Sequence, residues 1–290
     1  NPDAVIIAEI WSDREADPVI RGEHFDTHMH YPFAHAVTDW LAVEPGMTGS
    51  ELRDRLDGAF DDLAQTELIH QNLFGSHDTD RYVSMLINPG RGYDNGNRPQ
   101  DNGPGYVDVR PGEAVYRLSL LGVAMQATHM GAPMVYYGDE VGMWGADDPT
   151  DRKPYPWPDL GPMDREDTFA DLGLLERYRA WFGLRSSEGV GDVLRYGDQR
   201  WVETDDEGVI GYVRSLNGDR VLVIVNRTER RYRAGSILRS MLGGRPNGRF
   251  TELDGGVGLR LDPAEGETMG LGPAGVVDPF SARVWYLPID

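Results

Sequence analysis

The sequence contains no cysteine and a single lysine, Lys153, among its 290 residues. The absence of cysteine excludes disulfides, thiolate metal sites and a cysteine nucleophile. Arginine therefore supplies nearly all of the positive charge, and with 28 basic against 48 acidic residues the formal net charge is -20. Such a surface repels polyanions, so we expect neither nucleic acid nor an anionic membrane as a partner.

Long hydrophobic runs are also missing, and no stretch of the sequence has the length and apolarity of a membrane span. The N-terminal segment, NPDAVIIAEIW, has neither a basic stretch nor an initiator methionine and reaches an apolar run almost at once. We therefore expect the sequence to begin inside a domain, and it gives no indication of the cellular compartment.

The first part of the chain alternates strand and helix patterns, which is typical of a parallel α/β fold. The run AVIIA predicts a strand buried on both faces, because β-branched residues dominate it without polar alternation. The other predicted elements are a strand at 25–31, a helix at 32–42, a helix at 50–65 with Ser50 as its N-cap, a strand before His77, a helix at 112–128 and a strand at 132–137. The long polar segment 88–111 has the composition of a lid, a binding loop or disorder.

From about residue 194 the pattern changes to short alternating runs separated by Gly and Asp turns, namely VIGYVRSL, RVLVIVNRT and ARVWYLPI. Strands joined by turns without helices predict an antiparallel β domain. The helix-like residues 169–185 mark the transition. We therefore expect two domains, at 1–188 and 189–290.

Two carboxylates follow short apolar stretches in the first part. Glu9 ends the run AVIIA, and Asp78 lies in the segment GSHDTDR after ELIHQNLF. In a barrel of parallel strands, charged residues at the carboxyl ends of strands point into the active-site mouth. A pair of carboxylates there is suited to glycoside cleavage, although a residue such as Glu9, taken alone, is more often a strand-end residue in an ion pair.

Four segments together resemble the second half of an α-amylase family glycoside hydrolase, closest to the neopullulanase and cyclomaltodextrinase branch: AEIW, FDTHMHYPF, GSHDTDR and GAPMVYYGDEVGMWGADDPTDRKPYPW. The segments follow the family's order and spacing and precede a β domain. The resemblance implies strands 5 to 8 of a (β/α)8 TIM barrel, followed by an all-β antiparallel sandwich domain, and retaining cleavage of α-glucosidic bonds.

The resemblance also implies roles for individual residues. Glu9 matches the general acid/base, Asp78 the transition-state stabilising aspartate and His77 the histidine that contacts the cleaved sugar. A protonated Glu can donate to the leaving oxygen, and a fixed carboxylate can stabilise positive charge at the anomeric carbon. The family's nucleophile, an aspartate on the fourth strand, is expected to lie in a missing N-terminal half of the barrel, so the chain alone is expected to be inactive.

Other residues are candidates for substrate contact. Trp11 and Tyr31 offer flat apolar faces to pyranose rings, and Arg81 lies close to Asp78 in the sequence. Core packing for the aromatic residues, and a structural salt bridge for Arg81, remain as alternatives, and the family pattern gives Asp139 and Glu140 a packing role. The remaining candidates for stacking are Tyr93, Tyr155 and Trp157.

Two further patterns contain residue types that can take part in catalysis or metal binding. Asp262 ends GLRLD, which matches the nucleophile pattern by its letters, but its place in the β-rich tail favours a turn residue. His24, His28, His30 and His35 raise the possibility of a metal site, but no carboxylate arrangement completes one, and we predict no metal there. Calcium remains possible in the complete enzyme.

The leading hypothesis is a retaining hydrolase of α-1,4-glucans, such as maltooligosaccharides or cyclodextrins. Transglycosylation and α-1,6 cleavage are alternatives that share the same carboxylates. A non-catalytic glucan-binding or scaffold protein is an alternative from another class. Half a barrel would leave strand edges and apolar faces exposed, so we also expect aggregation or dimerisation of the isolated chain.

Overall fold

The computed structural model describes residues 4–9, 11, 25–42, 46–61, 69–91, 105–157, 159, 169–242, 251–253 and 275–288. The strands within these ranges are β1 Ile7–Ala8, β2 Thr27–His30, β3 Ile69–Asn72, β4 Ala132–Pro133, β5 Asp198–Val202, β6 Val209–Leu216, β7 Asp219–Asn226, β8 Tyr232–Arg233, β9 Thr251–Leu253, β10 Val276–Val277 and β11 Ser281–Leu287. The helices are α1 Tyr31–Leu41, α2 Gly49–Asp61, α3 Tyr82–Ile87, α4 Glu113–Thr128, α5 Leu172–Gly183, α6 Val190–Tyr196 and α7 Gly235–Leu242.

By its internal contacts the chain divides into two units. The first comprises residues 1–122 and 131–175, and the second comprises residues 123–130 and 176–290. The sequence-based boundary after residue 188 stays a prediction. None of the helices in the described ranges has the length and apolarity needed to cross a membrane.

The sheet of the first unit is parallel and has the strand order β1-β2-β3-β4. Ile7, Thr27 and Ile69 are register partners across its first three strands. Because side chains alternate between the two faces along a strand, these three share one face, and the next residue of each strand faces the other way. Because the four strands are parallel, their carboxyl ends lie at one edge of the sheet. This parallel α/β arrangement agrees with the predicted fold class.

β1 differs from its prediction. The strand covers only Ile7–Ala8, and the solvent-exposed fractions are 70% for Val5, 50% for Ile6 and 49% for Ile7, whereas Ala8 is buried. The prediction of a strand buried on both faces was therefore wrong for the described chain. The physical reason is that β1 pairs with β2 along one side, and no other described strand pairs with its second side.

The helices of the first unit agree better with the sequence pattern. α1 begins one residue before the predicted start, with Pro32 in its first turn, and it buries Phe33, Val37 and Trp40. α2 begins at Gly49, so Ser50 is not its N-cap. The cap is Thr48, whose hydroxyl accepts from the Glu51 backbone N–H at 3.1 Å while the Glu51 carboxylate accepts from the Thr48 N–H at 2.7 Å. This reciprocal pair is a capping box.

The second unit contains an antiparallel sheet with the strand order β5-β6-β7-β11-β9. The three apolar runs recognised in the sequence form β6, β7 and β11, and their inward side chains build a core with residues from α7. That core includes Val213, Leu222, Ile224, Trp285 and Leu238. Strand β5 and helix α7 were not predicted from the sequence.

Two arginines of the second unit bind the carboxyl end of α4. Arg214 is buried and donates to the Thr128 carbonyl at 2.9 Å and to the Gly197 carbonyl at 2.6 Å. Arg185 donates to the Ala127 carbonyl at 3.1 Å. The last carbonyls of a helix have no partner within it, and cations there also interact favourably with the helix dipole. The two guanidinium groups therefore satisfy the end of α4.

Candidate active site

The structure brings together three side chains that come from two distant parts of the sequence. Glu9 directly follows β1, and His77 and Asp78 lie in the turn after β3. Each of the three has one nitrogen or oxygen atom within 4.8 Å of such an atom on the other two. Glu9 and His77 are exposed and Asp78 is half-buried, so the group is open to a ligand. The two carboxylates singled out in the sequence thus share one site at the carboxyl edge of the sheet.

Tyr31 connects this cluster to the end of β2. Its hydroxyl donates to Ser76 Oγ at 3.0 Å and lies 3.5 Å from Glu9 Oε1. Burial raises the pKa of Tyr31 to about 12, and the neighbouring carboxylates Glu9 and Asp78 add to the effect. The hydroxyl therefore stays protonated at neutral pH. The Trp11 ring stacks on the Tyr31 ring at a centroid distance of 4.2 Å, so one face of each ring is already covered.

Asp78 is fixed by contacts to its backbone and to both carboxylate oxygens. Its N–H donates to Ser76 Oγ at 3.2 Å, and its Oδ2 lies 3.3 Å from His77 Nε2. Arg152 donates from Nη2 to Asp78 Oδ1 at 2.9 Å and from Nε to the His77 carbonyl at 2.7 Å. One guanidinium thus binds a side chain and the adjacent backbone, an arrangement that suits the planar fork of arginine.

Sequence reasoning missed Arg152. It lies in the short helical turn Thr150–Arg152, within the segment DPTDRKP that carried part of the family resemblance. Nothing in the spacing of that segment indicates that it returns to the turn after β3. The adjacent Lys153 is held in place, because its Nζ donates to the Trp144 carbonyl at 3.1 Å and lies 4.9 Å from the centroid of the Trp144 ring.

Arg81, predicted as a substrate-binding residue, is buried in the structure. Its Nη1 lies 3.1 Å from Asp139 Oδ1 and also donates to the Tyr137 carbonyl, while its Nε donates to the Asp151 carbonyl at 2.7 Å. The guanidinium also lies 4.2 Å from the centroid of the Tyr136 ring. These contacts favour the alternative of a structural salt bridge, in which Arg81 ties the segment after β4 to the turn that bears Asp78.

The carboxylate partner of Arg81 is an unusual acid. Burial raises the pKa of Asp139 to about 6, although the Arg81 charge opposes the shift. Asp80 is also buried and accepts a hydrogen bond from the Tyr106 hydroxyl at 2.5 Å. Both aspartates therefore take part in internal contacts beside Asp78, in line with the packing role that the resemblance implied for Asp139.

The histidines weighed for a metal site have partners of other kinds. His28 Nε2 lies 2.8 Å from His70 Nδ1, and His30 Nδ1 lies 3.1 Å from Asn72 Oδ1. Burial lowers the pKa of His28 to about 4 and that of His30 to about 3, so both rings are neutral at pH 7. Both imidazoles lie on β2 and hydrogen-bond to side chains of the neighbouring strand β3.

The other candidates differ in their surroundings. Tyr155 and Trp157 form a tilted pair with ring centroids 4.6 Å apart, and the side chain of Trp157 is exposed. His24, Tyr93 and Asp262 lie outside the described residues.

Carboxylates gathered at the carboxyl edge of a parallel sheet are typical of β/α-barrel hydrolases that act on glycosides. No protein-family model matches the chain. Individual relatives do match. A cyclomaltodextrinase of Geobacillus thermopakistaniensis is 32% identical over 229 residues, which cover 78% of this chain and 32% of that protein. Neopullulanase 2 of Thermoactinomyces vulgaris is 30% identical over 234 residues, covering 78% of this chain and 32% of the relative.

Among solved structures, the cyclic α-maltosyl-(1→6)-maltose hydrolase of Arthrobacter globiformis superposes with a TM-score of 0.66 over 99% of this chain and 50% of that one. At 24% identity this likeness concerns the fold. Together the curated relatives and the solved structures place the chain in the α-amylase family. The chain spans about a third of the length of the curated relatives that it matches.

Proposed function

We propose that this chain supplies two of the catalytic carboxylates of a retaining α-glucoside hydrolase that acts on α-1,4-glucans. The observation that carries the proposal is the convergence of Glu9, His77 and Asp78 at the carboxyl edge of the parallel sheet. The names of the matching relatives, cyclomaltodextrinase and neopullulanase, support maltooligosaccharides and cyclodextrins as substrates.

In this proposal Glu9 is the general acid/base. Its carboxyl group donates a proton to the glycosidic oxygen as the bond breaks and later takes a proton from the attacking water. The exposure of the Glu9 side chain allows it to reach a bound glucan, and the Tyr31 hydroxyl at 3.5 Å is in position to orient it. Trp11, stacked on Tyr31, presents its other face to a sugar ring.

Asp78 stabilises the positive charge that develops at the anomeric carbon. A fixed negative charge is effective because little reorganisation is needed when the charge forms, and Arg152 and Ser76 hold Asp78 in place. His77 remains a proposed contact to the sugar, since its ring lies beside Asp78 and is exposed to solvent. In this proposal Arg81 does not contact the sugar but supports the turn that bears Asp78, through its contacts with Asp139 and the Asp151 carbonyl.

The nucleophile is the third carboxylate that retention needs, and it must lie about 5 Å from the acid. Within the described residues, Glu9 and Asp78 are the carboxylates of the converging group. We therefore infer that the nucleophile comes from a segment equivalent to strands 1 to 4 of the barrel, and that the chain alone does not turn over substrate. The layout is then strands 5 to 8 of a barrel followed by an antiparallel β domain.

A mechanism-based covalent glycosyl inhibitor, followed by peptide mass spectrometry, tests the proposal on a form of the protein that cleaves maltooligosaccharides. The expected label is on an aspartate outside these 290 residues. Glu9→Gln should lower kcat by about 10²–10⁴-fold, because the proton donor is lost. The control Glu188→Gln changes an exposed carboxylate of the second unit and should leave kcat unchanged.

A covalent label on Asp78, or robust hydrolysis by the isolated chain, would show that the nucleophile assignment is wrong. Binding of glucan without any cleavage, in a form that includes the upstream segment, would favour the non-catalytic alternative. Cleavage of α-1,4 and of α-1,6 linkages would use the same carboxylates, so variants of these residues cannot distinguish the two. Product analysis with substrates of each linkage separates them.

A further inference from the structure

The converging group of Glu9, His77 and Asp78 combines two kinds of ligand. It offers one imidazole and two carboxylates, with one atom of each within 4.8 Å of the others. Among the described residues this is the one group of three or more His, Asp or Glu side chains that meets this condition. Zinc accepts both His nitrogen and Asp or Glu oxygen as ligands, and in open sites it is held by three protein ligands and a water, whereas calcium takes oxygen donors alone.

The distances fit a tetrahedral metal after a small adjustment. His77 Nε2 and Asp78 Oδ2 are 3.3 Å apart. Two ligands of a tetrahedral zinc ion with bonds of about 2.0–2.1 Å are separated by roughly 3.4 Å. Glu9 has an exposed side chain that can complete the set by a change of rotamer. Arg152 binds the other oxygen of Asp78, so Oδ2 keeps its orientation toward His77.

His77 is also the most exposed histidine of the described chain, because His35 is half-buried and the others are buried. Its side chain is 53% exposed, whereas the residues His28, His30, His70 and His129 are at most 7% exposed. The sequence has no cysteine that would compete for a thiophilic ion. The net charge of -20 raises the local concentration of cations near the protein.

We propose that Glu9, His77 and Asp78 form an inhibitory zinc-binding site. The inhibitory role rests on the function proposed above, in which Glu9 and Asp78 are the catalytic carboxylates. A bound zinc ion would occupy both of them. The acid could then no longer donate its proton, and the charge of the stabilising aspartate would be neutralised. Zinc and glucan would therefore bind in competition. The metal binding itself does not depend on that function.

Isothermal titration of the metal-free 290-residue chain with zinc chloride tests the binding. One zinc ion per chain is expected, and His77→Ala and Asp78→Asn should each weaken the affinity at least about tenfold. Glu188→Gln, which changes an exposed carboxylate of the second unit, is the control and should leave it unchanged. Because His77 is exposed, His77→Ala should melt at the wild-type temperature, which circular dichroism verifies. Absence of a stoichiometric site, or an affinity unchanged by His77→Ala, would overturn the proposal.

A competition experiment separates this proposal from the proposed function. Maltooligosaccharide should weaken zinc binding to the chain, and zinc should raise KM without lowering kcat in a catalytically competent form. His77-dependent zinc binding that no glucan weakens would support the metal site and count against the glucan site. Glucan cleavage that persists at saturating zinc would overturn the inhibitory role.

Discussion

Asp78 is oriented by an arginine that lies 74 positions later in the chain. Arg152 contributes two donors in a fixed geometry, one to Asp78 Oδ1 and one to the His77 carbonyl. A lysine at this position has a single point charge and no fork, so it cannot make both contacts with the same geometry. The orientation of the Asp78 carboxylate therefore depends on the geometry of the guanidinium group as well as on its charge.

Replacement of Arg152 tests this role. If Asp78 acts as proposed, Arg152→Lys should lower kcat of a catalytically competent form of the protein by about tenfold and Arg152→Ala by about a hundredfold, because a displacement of about 1 Å in a catalytic group costs up to that much. Thermal stability should change little, because the Arg152 side chain is 41% exposed. Steady-state kinetics on maltooligosaccharides provide the measurement.

Arg179→Ala is the matched control, since it removes an exposed arginine that is paired with Glu176 on α5. Equal losses of kcat in the Arg152 and Arg179 variants would contradict a positioning role. A wild-type kcat in Arg152→Lys would also contradict the positioning role.

The neutral histidines of β2 predict a pH dependence of stability. The folded-state pKa of His30, about 3, lies below its ordinary value of 6.5. The unfolded state therefore binds the proton more strongly, and the stability contributed by the neutral ring is complete above pH 6.5 and is lost as the pH falls toward 3. Buried Asp139 contributes a pH dependence of stability with the opposite sign. Because its pKa is raised to about 6, its contribution to stability falls as the pH rises between about 4 and 6.

Comparison of variants isolates the histidine effect. His30→Asn should reduce the slope of unfolding free energy against pH by about 1.4 kcal/mol per pH unit between about pH 4 and 6, which corresponds to one proton. Urea denaturation at several pH values provides the slope. Phe33→Leu, a substitution without a titrating group in α1, should lower stability equally at all pH values. An unchanged slope in His30→Asn would contradict this prediction.

The site residues show what a sequence can indicate about chemistry. Glu9 and Asp78 were predicted because each follows an apolar run, and His77 because of the family resemblance of its segment; the structure brings the three side chains together. Arg152 was missed, and substrate contact and a structural salt bridge were both left open for Arg81, because the contacts of both arginines depend on how distant segments return to one another. Short spacing patterns carry no information on such contacts. Burial distinguishes the two arginines, and burial is a property of the folded chain.

At the scale of single elements, the carboxyl end of α4 depends on arginine side chains. Arg214→Met should lower the free energy of unfolding by about 2–4 kcal/mol, because the carbonyls of Thr128 and Gly197 would lose a buried donor. Arg195→Met is the control, since Arg195 is exposed and pairs with Asp192. Chemical denaturation of both variants provides the comparison. A loss for Arg214→Met no larger than that for Arg195→Met would show that the carbonyls find other donors.

Element predictions were accurate where local periodicity decides the structure. The helix predicted at 32–42 and the alternating runs at 209–216, 220–228 and 282–289 correspond to the observed α1, β6, β7 and β11. β1 and β4 were predicted too long, at 4–8 and 132–137, because strand length depends on a pairing partner that lies elsewhere in the chain. The start of α2 was misplaced by one residue because Ser50 and Thr48 are both suitable caps, and the capping box with Glu51 decides between them.

At the scale of the whole molecule, two exposed isoleucines of the parallel sheet predict association. Ile7 is 49% and Ile69 is 56% exposed, and both are register partners of Thr27 on one face. We expect the isolated chain to self-associate through this face and the adjoining edge of β1, because unpaired strand edges and apolar surface favour pairing. Light scattering coupled to size exclusion measures the mass.

Ile7→Lys combined with Ile69→Lys should shift the chain toward a monomer. Tyr196→Lys, which removes an exposed aromatic residue from the second unit, should leave the mass unchanged. A monodisperse, cooperatively melting monomer of the unmodified chain would contradict the prediction.

The single lysine has a practical consequence for spectroscopy. Lys153 is adjacent to the arginine that binds Asp78, and its side chain rests on Trp144. An amine-reactive fluorophore would therefore mark one side chain beside the cluster, apart from the terminal amine. Since the sequence has no cysteine, one introduced thiol provides an independent second label. Energy transfer between the two dyes would then report distances within the protein and test the proposed binding of a glucan.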